Sequence, residues 1–177
     1  MGQGVDQPSG SAESAPYETG TVIRAIDKPG RILVRGQVPD DCKKVIWTYG
    51  LNRQALLMTP AVWQAFRERF ATLNPYHPAT LNIQRFQIAP AEECTIDSAG
   101  RARIPEALRK YAGLAESKEP GAPKTEAQIV DMGPNGFEIW LAARYTEELL
   151  KQADAMLQTH ADAAERWSAA QSPAAGE

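Results

Sequence analysis

The chain has only two cysteines and two histidines in 177 residues. Cys42 and Cys94 are too few for a disulfide framework, so a reduced, cytoplasmic setting is expected. No run approaches the roughly 20 apolar residues that a membrane-crossing helix needs, and no basic stretch leads into an apolar one as in a secretory signal. Cys42, Cys94, His77 and His160 do not fall at metal-ligand spacing, and no glycine-rich loop is present to cradle a phosphate. We therefore expect no metal, no cofactor and no enzyme. His77, between Tyr76 and Pro78, reads as a loop residue, His160 as a surface residue of a helix, and Cys94 as a small core residue of a strand. Excess positive charge is also missing. The net charge is −3 and the isoelectric point near 5.5, which taken alone argues against a polyanionic partner.

The local charge tells a different story. Arg24, Lys28, Arg31 and Arg35 cluster in one stretch and Arg101, Arg103, Arg109 and Lys110 in another, while much of the acid lies late in the chain, at Glu147, Glu148, Asp154, Asp162, Glu165 and Glu177. A phosphate responds to the local field, so a negative total can coexist with cationic faces. The apolar fraction of 43% is ample for one packed core. Residues 1–20 and the last ten, rich in Gly, Ser, Pro and Ala, read as disordered tails.

Each cationic stretch contains the same turn. AIDKPGR spans 25–31 and TIDSAGR spans 95–101, so the two aspartates stand 97 − 27 = 70 positions apart, as do the glycines and arginines after them. In an Asp-x-x-Gly-Arg unit the carboxylate can accept backbone N–H groups and close the turn, and can also hold the arginine by a charge-assisted bond. Gly30 and Gly100 supply the left-handed position. Arg31 and Arg101 then emerge at fixed places on stiff strands. A single such unit is usually only a hairpin turn; two in matching context point to a paired function.

The flanking pattern repeats as well. Residues 21–27 and 31–35 alternate like the strands of a hairpin, and 38–44 read as a short helix or turn. A second hairpin joins 45–50 to 55–59. Thr59 can cap a helix whose first residue is Pro60, with Trp63, Phe66, Phe70 and Leu73 along one face. A further helical piece covers 78–88. The series then restarts: strands at 91–97 and 101–104, a helix at 105–114 stopped by Gly113, a hairpin of 127–132 with 137–141 around GPNG, and a long helix whose expected buried side is Tyr145, Leu149, Leu150, Met156 and Leu157. The Pro-rich 116–127 stretch reads as a loop insertion in the second half. Residues 21–89 and 90–158 thus read as two repeats, each with too few strands to bury both sheet faces alone. The expected fold class is α+β: a pseudo-two-fold, intertwined β-barrel of two repeats with attached helices, followed by a helical end and tail over 159–177.

The blocks IDKPGR, LNRQALLMTPAVW, NPYHPATLNIQRF, CTIDSAGRARIPEALRKYAGL and GFEIW, in this order and spacing, resemble the MraZ family of bacterial transcriptional regulators of the division and cell wall gene cluster, within the AbrB-like swapped-hairpin barrel group. The resemblance runs from about Thr21 to about Trp140. It implies a sequence-specific DNA-binding protein that represses transcription, including that of its own operon, and a ring-shaped homo-oligomer on tandem repeats upstream of a promoter in the nucleoid. It also implies that Arg31 and Arg101 are the DNA-contacting residues and that Asp27 and Asp97 shape their turns. Lys28, Arg24, Arg35 and Arg103 are then expected on phosphates. The chain departs from the family in its Lys28-Pro29 turn, in the late arrival of Pro39, and in the 116–127 insertion. A protein-recognition module on the same barrel, using the Trp63, Phe66 and Phe70 face, is the alternative.

Overall fold

The computed structural model describes residues 20–115 and 121–171, with side chains up to 160; the expected tails over 1–19 and 172–177, and part of the expected insertion, lie outside the described residues. Among the described residues eight strands and four α-helices follow one another as β1 (Thr21–Ala25), β2 (Arg31–Leu33), β3 (Lys44–Tyr49), β4 (Ala55–Met58), α1 (Pro60–Ala71), α2 (Pro78–Ile83), β5 (Glu92–Thr95), β6 (Arg101–Arg103), α3 (Glu106–Ala112), β7 (Glu126–Asp131), β8 (Phe137–Leu141) and α4 (Ala142–Gln171). The class is α+β. Six strands form an antiparallel sheet in the order β1-β7-β8-β4-β3-β5, and β2 and β6 form a separate antiparallel ribbon.

The pairing corrects one expectation. The hairpins read over 21–35 and 91–104 close only at their turns. Beyond the turn β1 leaves to pair with β7 while β2 pairs with β6, and β5 leaves to pair with β3. One isolated bridge, Ile96 to Ala102, is what remains of the second hairpin. Each half therefore completes its hydrogen-bond ladders with the other half. The later hairpins, β3 with β4 and β7 with β8, form as expected.

The registers are self-complementary. In the ribbon, Ile32 lies opposite Ala102, and 102 − 32 = 70 is the spacing of the two turns. In the sheet, Leu56 lies opposite Glu138, and 138 − 56 = 82; the additional 12 positions fall in the connection between α3 and β7. The two halves meet around these two pairs, related by a local two-fold in the hydrogen-bond pattern.

The core lies between ribbon and sheet. Ile32, Val34, Ala102 and Ile104 from the ribbon side meet Val45, Trp47, Leu57, Ile129 and Ile139 from the sheet, with Leu108, Ala112 and Leu114 from α3 and its exit. Alternation sends Ile32 and Ala102 inward, so Arg31, Leu33, Arg101 and Arg103 take the opposite face of the ribbon.

The helices mostly obey their local signals. The Thr59 hydroxyl accepts from the Val62 N–H at 3.3 Å, with Pro60 in the first turn of α1. Gly113 ends α3 in the left-handed conformation at φ 71°. Residues 38–44 form a turn rather than a helix. The predicted 78–88 helix changes winding at Gln84: residues Gln84–Ile88 are π-helical, and Phe86 packs edge-on against Tyr49 and Tyr111 at 5.8 Å from each.

Two predicted apolar faces are only partly covered by the described residues. No residue of α1 is buried: Trp63, Phe66 and Phe70 are half-buried, Trp63 stacks on Phe66, and Leu73 beyond the helix is exposed. On α4 the expected buried side is largely exposed. Tyr145 packs against Trp140, but Leu149, Leu150, Met156 and Leu157 are exposed.

Ile32→Ala should remove packing at the centre of the ribbon and lower stability by about 2–5 kcal/mol. Ile23→Ala, on the exposed side of β1, should change it by less than about 0.5 kcal/mol. Urea denaturation of both variants checks the contrast.

Candidate nucleic-acid interface

Three bonds recur in each turn. In the first, the Gly30 N–H donates to the Asp27 carbonyl (2.7 Å), the Asp27 N–H to the Arg31 carbonyl (3.0 Å), and the Arg31 N–H to Asp27 Oδ1 (2.7 Å). In the second, the Gly100, Asp97 and Arg101 N–H groups make the corresponding bonds at 2.9, 2.8 and 2.9 Å. Both glycines have positive φ, 82° at Gly30 and 79° at Gly100, where a Cβ is disfavoured. The turn carbonyls then bind across the ribbon. Gly100 accepts from the Val34 N–H at 2.9 Å, and Gly30 from the Ile104 N–H at 3.0 Å.

The side chains cross between halves in the same way. Arg31 Nε donates to Asp27 Oδ2 at 2.9 Å and its Nη1 to Asp97 Oδ2 at 3.2 Å. Arg101 Nη1 donates to Asp27 Oδ2 at 3.1 Å. The two arginine side chains remain about 40% exposed, while that of Asp27 is 19% exposed. The result is an open cationic face whose arginines are held from beneath by carboxylates. Burial opposes ionisation of Asp27, but the Arg31 backbone and side-chain bonds and the Arg101 bond outweigh it and hold the carboxyl below its ordinary 3.8.

The structure brings most of the predicted site residues together. Arg103 lies across from Arg31 in the ribbon and is exposed. Lys28 is exposed in the first turn. Arg35 is exposed just past β2, with Nη2 donating to the Ser98 carbonyl at 3.1 Å, and its stem packs over Gly100. Arg24 stands apart: it is half-buried on β1, opposite Ala127 in the large sheet, and not on the ribbon.

Arg109, which the sequence marks only as part of the second cationic stretch, also belongs to this region. Its guanidinium, carried by α3 of the second half, lies where a Cβ of Gly30 would be, with Nε buried and without a hydrogen-bond partner. Arg35 over Gly100 and Arg109 over Gly30 are therefore matching covers, each supplied by the opposite half. The local sequence carries no signal for this contact, since it depends on how the halves intertwine.

The residues considered for other chemistry have local roles. The His77 imidazole caps α2, accepting from the Ala79 N–H at 3.2 Å. The Cys42 thiol donates to the Lys44 carbonyl at 3.0 Å. Burial, with the Glu92 carboxylate adding to it, pushes the Cys94 thiol up, which disfavours the nucleophilic thiolate.

Similar proteins match this chain over most of its length. A protein of Solidesulfovibrio magneticus named Transcriptional regulator MraZ is 32% identical over 148 residues, covering 79% of this chain and 89% of its own length. The chain belongs to the MraZ family. Proteins with the same name from Klebsiella pneumoniae (strain 342) and Azoarcus sp. (strain BH72) are 26% and 28% identical, covering 94% and 87% of their own lengths and 83% and 78% of this one. The family model described as "MraZ protein, putative antitoxin-like" matches residues 88–167, the second turn through most of α4.

Two predictions concern the turns. Gly30→Ala should destabilise by roughly 1–2 kcal/mol through its positive φ, and trimming Arg109 to alanine should not relieve that cost, because the displaced guanidinium is a flexible end. The second concerns acid. With Asp27 depressed in the folded state, its contribution is fully present above the unfolded value and is lost as pH falls through the folded one. Asp27→Asn should therefore be less stable than the native chain at pH 7, with the gap closing below about pH 4. Denaturation midpoints between pH 7 and pH 2.5 measure this.

Proposed function

We propose that this MraZ-family chain is a sequence-specific DNA-binding transcriptional regulator whose β2–β6 ribbon enters the major groove. The observation that carries the reading is the placement of Arg31, Arg101 and Arg103 on one exposed face of a two-stranded antiparallel ribbon. The major groove admits such a ribbon, and arginine forks match the O6 and N7 acceptors of guanine. Arg31 and Arg101 face base edges; Lys28, Arg35 and Arg103 meet phosphates and set the register. Arg24, on the other sheet, adds charge at the periphery. The crossed pairing of β1 with β7, β3 with β5 and β2 with β6 supports reading 21–89 and 90–158 as two repeats of one swapped-hairpin barrel.

The names of the relatives support a role in transcription. On this reading the chain acts as a repressor of the division and cell wall gene cluster, its own operon included, and works at the nucleoid. One ribbon offers few contacts, so useful affinity calls for several subunits on tandem repeats, as in a ring-shaped homo-oligomer. The half-covered apolar face of α1 and the exposed Leu149, Leu150, Met156 and Leu157 of α4 support self-association. The same faces also suit the alternative, a protein-recognition module without DNA binding.

A gel shift with the region upstream of the gene separates the two readings. Arg101→Ala should weaken binding and flatten sequence preference, whereas unchanged binding would contradict the assignment. Affinity should fall steeply with salt, by a log–log slope of about −0.9 per phosphate neutralised. Arg103→Ala should reduce the magnitude of that slope by about one per subunit engaged and leave base preference intact.

A further inference from the structure

The two arginines are not equivalent. A guanidinium can present two parallel donors in two ways: side-on through Nε and Nη2, or end-on through Nη1 and Nη2. In Arg31 the single N–H of Nε is taken by Asp27, which closes the side-on fork, and Nη1 donates to Asp97. Arg101 is held only through Nη1, by Asp27, so its Nε and Nη2 edge is unengaged among the described residues. The two side chains are almost equally exposed, at 42% and 41%, so exposure does not account for the difference.

The asymmetry has an origin in the turns. In the second turn Asp97 Oδ1 accepts from both the Ala99 N–H (3.0 Å) and the Arg101 N–H (2.9 Å). The first turn has Pro29 at the position matching Ala99, and proline has no N–H to give. Asp27 is left with one backbone donor at Oδ1, and its Oδ2 gathers both guanidiniums.

We propose that the two halves divide the work: Arg101 alone reads a guanine through its open side-on Nε–Nη2 fork, while Arg31, whose side-on fork is taken, is a strut that ties the two turns together. This rests on the ribbon being the DNA-facing surface, and assigns specificity to the second half of the chain.

The test is to select preferred duplexes from a randomised pool with the native protein, Arg31→Lys and Arg101→Lys, and to measure binding of each to the enriched duplexes. Lysine keeps the charge but cannot form a fork. Arg101→Lys should lose about tenfold or more of the preference at one guanine per repeat, the scale of a bidentate pair. Arg31→Lys should keep every preference and lose affinity uniformly. Equal flattening by both lysine variants would overturn the division of labour.

A second measurement needs no variant. Replacing single guanines of the native protein's duplex by 7-deazaguanine removes N7, and one guanine per repeat should stand out by about tenfold. Two comparable positions per repeat would overturn the proposal. Failure of the native protein to enrich any sequence would overturn it together with the ribbon reading, whereas enrichment with two equal positions would overturn the division alone.

Discussion

A single carboxylate oxygen, Asp27 Oδ2, receives a guanidinium from each half of the chain. The candidate interface depends on that convergence. Exposed ion pairs contribute little to stability, typically under about 1 kcal/mol, and this lattice is partly solvated. Its importance is therefore positional. It fixes two long, rotamer-rich side chains before any ligand arrives, so that less side-chain ordering has to be supplied on binding. Because the donors come from different halves, the arrangement exists only when β2 and β6 are paired.

The backbone serves the same end. Alternation along β2 and β6 gives Ile32 and Ala102 to the core and leaves the arginines outside. The carbonyls of Gly30 and Gly100 are each tied to the strand leaving the opposite half. Arg109 and Arg35 then lie over those glycines. A side chain at either glycine would both strain the turn and displace its cover. The core holds the ribbon, the ribbon holds the turns, and the turns hold the cations.

Much of this was legible in the sequence. The spacing of 70 between the Asp-x-x-Gly-Arg units, the Thr59-Pro60 cap and the Gly113 stop are local signals, and each element they mark is present. Partner choice was not legible. Local alternation says that 21–27 and 31–35 are strands, but whether β2 pairs with β1 or with β6 is decided by which arrangement buries Ile32 and Ile104 in one core. The buried side expected for α4 failed for a related reason. Leu149, Leu150, Met156 and Leu157 have helical spacing, but spacing identifies an apolar stripe and not what covers it. The inequality of Arg31 and Arg101 was hidden as well, since it appears only when the folded turns bring both guanidiniums to Asp27 Oδ2; the one local difference beside it is Pro29, which lacks the N–H that Ala99 donates.

Backbone amide shifts of the isotope-labelled protein, followed during titration with duplex DNA carrying its preferred sequence, locate the DNA-facing surface. The largest changes should fall within 27–35 and 97–103, on the ribbon and its two turns. Changes centred on α1 or α4, with the ribbon silent at saturation, would contradict this placement.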